Sequence, residues 1–321
     1  MQPTIEHLSF NNDNADGRML FSILIPSWNN LPFLQLCIRS IREHSAYRHQ
    51  IIVHINEGKD GTLEWVKAQG LDYTYSRNNV GVCLAMNIMR TKVKTDYILF
   101  LNDDMYLLPG WDVAFYDEVR KLNSNYFYLS ASTIQPHHHP GGLKGWQADY
   151  GDRPDNFQEQ RLLNEFSQLK LQDWQGATCP PSLVHRDIWD LVGGYSIEFT
   201  PGMGSDPDFT AKLLFVGVRY FKGLAASRAY HFECKTTAVV KKNKYLPLFF
   251  FKWRILNSTI RNYLTYLGKP WIEEQNKHPH GKLWWEHFRG RMKAIFYAIK
   301  GDYGVLNRID DEDRPDWRME S

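Results

Sequence analysis

The sequence predicts an α/β protein with a mainly parallel central sheet, on three observations. Apolar runs of strand length alternate with segments of helical spacing from Leu20 to Ser130, the signature of βαβ units in which crossover helices join parallel strands. The apolar run Tyr97 to Leu101 ends abruptly in polar residues, as a buried strand does where it leaves a sheet. Beyond Tyr245 the pattern turns helical, with aromatic and basic residues interleaved.

The elements follow in order. After a polar leader (1–19), Leu20 to Pro26 reads as a buried strand, and Pro32 to His44 as a helix with Leu34, Ile38 and Ile41 on one face. Gln50 to Ile55 is a strand, Leu63 to Ala68 a short helix, Leu71 to Tyr75 a strand, and Gly81 to Arg90 a helix. The strand Tyr97 to Leu101, the helix Asp112 to Lys121 and the strand Tyr126 to Ser130 follow. Ser132 to Asn156, rich in His, Pro and Gly, is expected to be a surface loop or lid. Its run His137-His138-His139 is a poor metal site, because three consecutive residues do not converge on one ion. Helical spacing over Phe157 to Leu169, an extended block Trp174 to Val184, helices around Ile188 to Val192 and Asp206 to Phe215, and strands near Val218 to Phe221 and Arg228 to Phe232 complete this part.

A composition of 43% hydrophobic residues supports a packed core. The four cysteines are scattered without a C-x-x-C pair, against a zinc knuckle or disulfide framework and in keeping with a reducing compartment. The N-terminus lacks the basic start and apolar centre of a signal peptide, and no window offers the ~20 apolar residues of a membrane span. The expectation is a cytoplasmic protein, at most peripheral on the inner face of a membrane. Net charge is +2, but Lys235 to Lys300 holds 14 Lys/Arg against three acids, a local +11 that leaves −9 for the rest. That asymmetry points the C-terminal part toward an anionic surface. No nucleic-acid recognition motif accompanies it.

The sharpest local feature is Asn102-Asp103-Asp104, directly after the apolar run Tyr97 to Leu101. Ligands of open α/β sheets bind beyond the carboxyl ends of the strands. Two adjacent carboxylates there are costly to desolvate unless a cation joins them, and Mg²⁺ or Mn²⁺ with substrate phosphates suits oxygen ligands. The competing reading is a turn, or a cap for the helix after Pro109-Gly110.

Further motifs surround it. Ile25-Pro26-Ser27-Trp28-Asn29 ends the first strand; Asn56 to Thr62 (NEGKDGT) follows the second; Asn79-Val80-Gly81 with Ala85 and Asn87 opens a helix. Leu108-Pro109-Gly110-Trp111, Val192-Gly193-Gly194-Tyr195, Gly204 to Phe209 (GSDPDF) and Tyr230-His231-Phe232 come later. In this order they resemble the family 2 glycosyltransferases, over roughly Leu20 to Glu233. The resemblance implies the GT-A fold, with Rossmann-like nucleotide-binding βαβ units in a mixed sheet. It also implies inverting transfer of a sugar from a nucleotide-sugar donor to the hydroxyl of a glycan or lipid-linked glycan.

The resemblance carries residue roles. Asp104 is the expected ligand of Mn²⁺ or Mg²⁺, being the second acid of the family's Asp-x-Asp; His231 is the second ligand, or else a satisfied polar residue. Asn102 replaces the first acid and, with Asp103, is placed on the donor. Glu57 and Asp60 are assigned to the nucleobase, in a loop one residue shorter than usual, with Pro26, Ser27 and Asn29 lining the same pocket. Asn79, Gly81 and Asn87 complete the donor side. Asp206 matches the general base, although Ser205 replaces the Glu before it; helix capping is its rival role. Trp174 and Gln175 are placed on the acceptor side, where an aromatic can stack on a sugar, though a core Trp is the commoner fate.

The expected organisation is a leader (1–19), a catalytic domain (20–235), a basic aromatic helical region (236–300) and an acidic tail (301–321). In the helical region Phe249, Trp253, Leu256, Ile260, Tyr263 and Leu267 share one face, and Trp284, Phe288, Met292, Ile295 and Ile299 another. These helices suit an anionic membrane interface, or pack on the catalytic domain or on a second copy as a homo-oligomer. Two other functions stay open: a nucleotidyltransferase on a similar fold, and an inactive nucleotide- or glycan-binding module.

Overall fold

The computed structural model describes residues 19–137, 146–234, 245–273, 280–301 and 303. The leader up to residue 18, His138 and His139, the basic stretch 235–244, residues 274–279 and the acidic tail from 304 onward lie outside these residues.

The first half alternates as expected: β1 (Phe21–Trp28), α1 (Leu31–His44), β2 (Gln50–Asn56), α2 (Thr62–Ala68), β3 (Asp72–Ser76), α3 (Gly81–Arg90) and β4 (Tyr97–Phe100). β3, β2, β1 and β4 lie side by side in that order, all parallel. Alternating side chains separate two cores, because successive strand residues point to opposite faces. Ile23, Ile25, Val53, Ile55 and Leu99 pack with Leu34, Ile38 and Ile41 of α1. Leu24, Ile52, Ile98 and Phe100 face Cys83, Met86 and Met89 of α3.

Then come β5 (Met105–Leu107), α4 (Trp111–Leu122), β6 (Phe127–Gln135), β7 (Trp146–Gln147), α5 (Glu159–Glu165), β8 (Trp174–Gln175), β9 (Ser182–His185), α6 (Arg186–Leu191), α7 (Ser205–Phe215) and β10 (Tyr220–His231). β9 inserts antiparallel between β4 and β6, β10 runs parallel to β6, and β5 and β8 pair antiparallel with β10. The sheet is therefore mixed, and β1, β4, β6 and β10 all end at one edge.

Four local expectations are corrected. The two strands foreseen near Val218 and Arg228 are one strand, β10, whose pairing with β6 shifts between Leu224 and Arg228. Asp173 accepts the Ala225 N–H at 2.8 Å, which satisfies the backbone where the ladder is interrupted. The block Trp174 to Val184 is two strands, divided at Gly176 (φ 86°), where a Cβ would sit 2.7 Å from Leu267 Cα. Much of Ser132 to Asn156 is structural: β6 continues to Gln135, β7 pairs with it, and buried Tyr150 donates its N–H to Tyr230 Oη at 3.0 Å. The helix expected from Tyr245 stops after α8 (Tyr245–Trp253), because Arg254 adopts φ 58°. A short α9 (Asn257–Thr259), a π turn (Ile260–Leu264) and, later, α10 (His280–Ile299) follow, so Phe249 to Leu267 does not form one face.

α8 packs into the core of the sheet. Leu248 and Phe249 join the α3 side of the sheet with Phe199 and Phe209. Among the described residues no helix is long and apolar enough to cross a membrane.

Candidate active site

Strand order reverses at β1, which has β2 on one side and β4 on the other. Such a switch point opens a crevice beyond the strand ends. The ends of β1 and β4 deliver Ser27 to Asn30 and Asn102 to Asp104 to that crevice.

Asp104 is 7% exposed and densely held. Its Oδ2 accepts the Cys234 N–H at 2.9 Å and lies 3.4 Å from His231 Nε2. β5 pairs with the last turn of β10, Met105 opposite His231, which brings a residue 127 positions away beside the acid. Burial opposes ionisation of both groups, yet their attraction prevails: Asp104 is held below the usual carboxylate range and His231 above its ordinary value. Asp103 goes the other way, pushed up to about 7 by burial and then by the Asp104 charge. Ser27 and Asn30 face Asp103 and offset part of that rise, but Ser27 Oγ and Asn30 Nδ2 complete no hydrogen bond although both are buried. Unpaired buried polar atoms cost roughly 1–3 kcal/mol each, so a cluster of them at a crevice suits a polar ligand. Asn30 was not among the expected residues, though it adjoins Asn29 in the first-strand motif; the Cys234 contact comes from backbone and has no side-chain signal.

Among the described residues no three His, Cys, Asp or Glu side chains converge to hold a metal by themselves. Asp104 and His231 do converge. A Mg²⁺ or Mn²⁺ ion that keeps phosphate and water ligands needs only one or two protein groups. The donor set fits a metal that arrives with a diphosphate, not a protein-caged ion.

The loop after β2 is locked from within. Asp60 accepts Leu31 N–H at 2.8 Å at the start of α1, and Thr62 Oγ at 2.5 Å. Despite partial burial, Thr62 and Leu31 hold its carboxyl below the usual range. Asn29 accepts Lys59 N–H at 2.8 Å and donates to Glu57 Oε2 at 3.1 Å, with Lys59 Nζ 3.0 Å from the same oxygen. Pro26 lies within β1, opposite His54. Asn79, just before the Val80 N-cap of α3, accepts Gly81 N–H at 2.9 Å. Gly81 (φ 73°) is required by contact, since a Cβ would lie 2.8 Å from Pro201 Cα. Both ends of the Asn87 amide engage the Tyr195 backbone, at 2.7 and 2.9 Å. These motif residues hold loops around the crevice.

On the α3 side, α7 runs down to β10 through a short connection, so its N-terminus sits at the same edge. Asp206 lies in that first turn; Tyr195 Oη donates to it at 3.2 Å. The Tyr195 ring stacks on Phe209 (4.8 Å) and meets Phe100 of β4 edge-on (5.9 Å), fixing Asp206 over the β4 end. Burial pushes Asp206 up to about 7, against the Tyr195 hydrogen bond. Ser205, in place of the expected acid, donates to Gly202 O at 2.7 Å. Asp208 is fully buried; Oδ1 accepts Trp253 Nε1 at 2.8 Å and lies 2.9 Å from Lys252 Nζ.

Trp174 and Gln175 face inward. Trp174 covers Gly223, where a Cβ would fall 1.8 Å from the indole, and donates to Ser132 Oγ at 3.1 Å. Gln175 donates to Pro270 O at 2.8 Å and ties the C-terminal segment to β10. A cavity lined by Leu122, Tyr126, Arg219 and Tyr220 opens at the opposite edge, where β6 and β10 begin.

A parallel β3-β2-β1-β4 half, an inserted antiparallel β9 and an acidic crevice at the switch point define the GT-A class of nucleotide-sugar-binding folds. Residues 22–175 match the family described as Glycosyl transferase family 2. None of the curated proteins matches the chain in sequence. Among solved structures, S. aureus TarS 1-349 superposes with a TM-score of 0.50 at 12% identity, covering 66% of this chain and 60% of that one. The same protein in complex with UDP-GlcNAc gives 0.51 at 14% identity, covering 73% and 64%. The chain thus spans less than two thirds of the length of either structure.

Proposed function

We propose that the protein is an inverting glycosyltransferase that moves a sugar from a nucleotide-sugar donor to the hydroxyl of a glycan or lipid-linked glycan. The observation that carries this reading is that one sheet edge holds both the Asp104–His231 pair and Asp206, whose carboxyl burial pushes up to about 7. TarS, of similar fold, forms a complex with UDP-GlcNAc, which supports a nucleotide-sugar donor. Ser27 and Asn30 offer unsatisfied polar atoms to that donor. Asp104 and His231 would hold Mn²⁺ or Mg²⁺, which neutralises charge on a diphosphate leaving group. Asp206 takes the acceptor hydroxyl's proton as its oxygen bonds to the anomeric carbon and the nucleoside diphosphate departs. A lipid-linked acceptor would place the reaction at the cytoplasmic face of a membrane.

The test is donor turnover across UDP-, GDP- and dTDP-sugars with and without Mn²⁺ or Mg²⁺. One donor class should be hydrolysed or transferred, with chelation abolishing turnover. Nucleotide binding without turnover of any donor would instead identify a binding module, the reading that Asn102 and Ser205 in place of acids keep open.

A further inference from the structure

α10 is built inside out. Its inward side carries Glu286, Gly290 and Tyr297: Glu286 is 6% exposed and accepts Thr259 Oγ at 2.8 Å, Gly290 sits against Phe250, and Tyr297 meets the Phe250 and Phe251 rings. Its outward side carries Trp284, Trp285, Phe288, Met292, Ile295 and Ile299, each between 46 and 80% exposed. At about 100° per residue these fall within an arc of roughly 120°, along most of a helix about 30 Å long. A folding helix normally buries such a stripe, and a contiguous exposed apolar patch marks an interaction surface.

Charge selects the occupant. Arg291 flanks the stripe on one side and Arg289, Lys293 and Lys300 on the other, with Lys300 4.4 Å over the Phe296 ring. The sole acid between Leu283 and Ile299 is the buried Glu286. A second copy docking by the same face would set these basic flanks against each other, whereas anionic headgroups complement them while acyl chains take the apolar stripe. We propose that the outer face of α10 docks the protein on an anionic lipid surface, with the helix lying in the headgroup layer. It deepens the membrane location proposed above, but its argument rests on the α10 surface and on none of the transfer chemistry.

The experiment is co-sedimentation of the full chain with phosphatidylcholine vesicles with and without about one third phosphatidylglycerol, at low and high salt. The protein should pellet with the anionic vesicles, and salt should weaken binding. Trp284→Ser/Phe288→Ser/Ile295→Ser should reduce binding about ten-fold or more, and Arg291→Gln/Lys300→Gln should do so on the anionic vesicles alone. Brominated lipid should quench tryptophan fluorescence of the unaltered protein, a readout that needs no variant. Equal binding to both vesicle types, no binding, or an unchanged triple variant overturns the proposal. So does a dimer that the triple variant dissolves without any vesicle binding, which would make a second copy the occupant. A protein that binds vesicles but turns over no donor keeps this inference and loses the transferase reading.

Discussion

Asp206 and Asp208 stand two residues apart on α7 with opposite surroundings. Asp208 is paired with Lys252 and sealed by Trp253, whereas among the described residues Asp206 meets the Tyr195 hydroxyl alone and rises to about 7. A base is most effective when its pKa lies near the working pH. Asp206→Asn is therefore expected to lower kcat about 10²–10⁴-fold while leaving nucleotide affinity unchanged, read by steady-state kinetics and calorimetry. Because the base acts only when deprotonated, kcat/KM of the unaltered protein should climb with pH through about 7 and then level off. A profile already flat from pH 5 would remove Asp206 from that role. On the donor side, Asp104→Asn should raise the Mn²⁺ concentration for half-maximal turnover about ten-fold or more. The sequence pattern identified Asp104, His231 and Asp206 as candidates. It could not separate motif residues that face a ligand from those that hold a loop. Asp60, Asn79 and Asn87 use their polar atoms within the chain, through partners as distant in sequence as Tyr195.

At the scale of elements, legibility followed the length of the signal. β1, β2 and β4 were readable as almost continuously buried apolar runs, and α1 by the helical spacing of its buried face. β5, β7 and β8, of two or three residues, have no room for a period and exist through their pairing with β10 and β6. The role of α8 was hidden for a related reason: its apolar run could cover a membrane or a protein, and only the partners decide. Lys252 supplies the decision, lying 2.9 Å from Asp208, 2.8 Å from Glu198 and 2.8 Å from Ser196 Oγ. Lys252→Met should leave Asp208 buried without its cationic partner, at a cost of about 3–5 kcal/mol in urea unfolding. Adding Asp208→Asn should recover part of that loss; an additive double variant would mean the pair is not coupled.

At the scale of the whole molecule, the C-terminal edge of the sheet gathers costly groups while the rest is packed conventionally. Asp206 would titrate near 3.8 in the unfolded chain and titrates at about 7 in the fold. A carboxyl whose folded pKa is raised contributes stability below its unfolded pKa and loses it as pH rises through the folded one. The native state binds the extra proton between those values, so stability should fall from about pH 4 to pH 7 on this account. The shift corresponds to no more than about 4 kcal/mol, and less to the extent that solvent reaching the half-buried residue screens the charge. Asp206→Asn removes the titration while keeping the shape of the side chain and its Tyr195 partner. The variant is therefore expected to be more stable than the unaltered protein at pH 8, with the difference shrinking toward pH 4, even as turnover is lost. Thermal melts of both proteins across that range are the measurement. A melting temperature that drops equally at both ends would assign Asp206 to the architecture of α7. A gain confined to neutral and higher pH would mean that the fold carries a strained carboxylate at the edge where the donor and acceptor are proposed to meet.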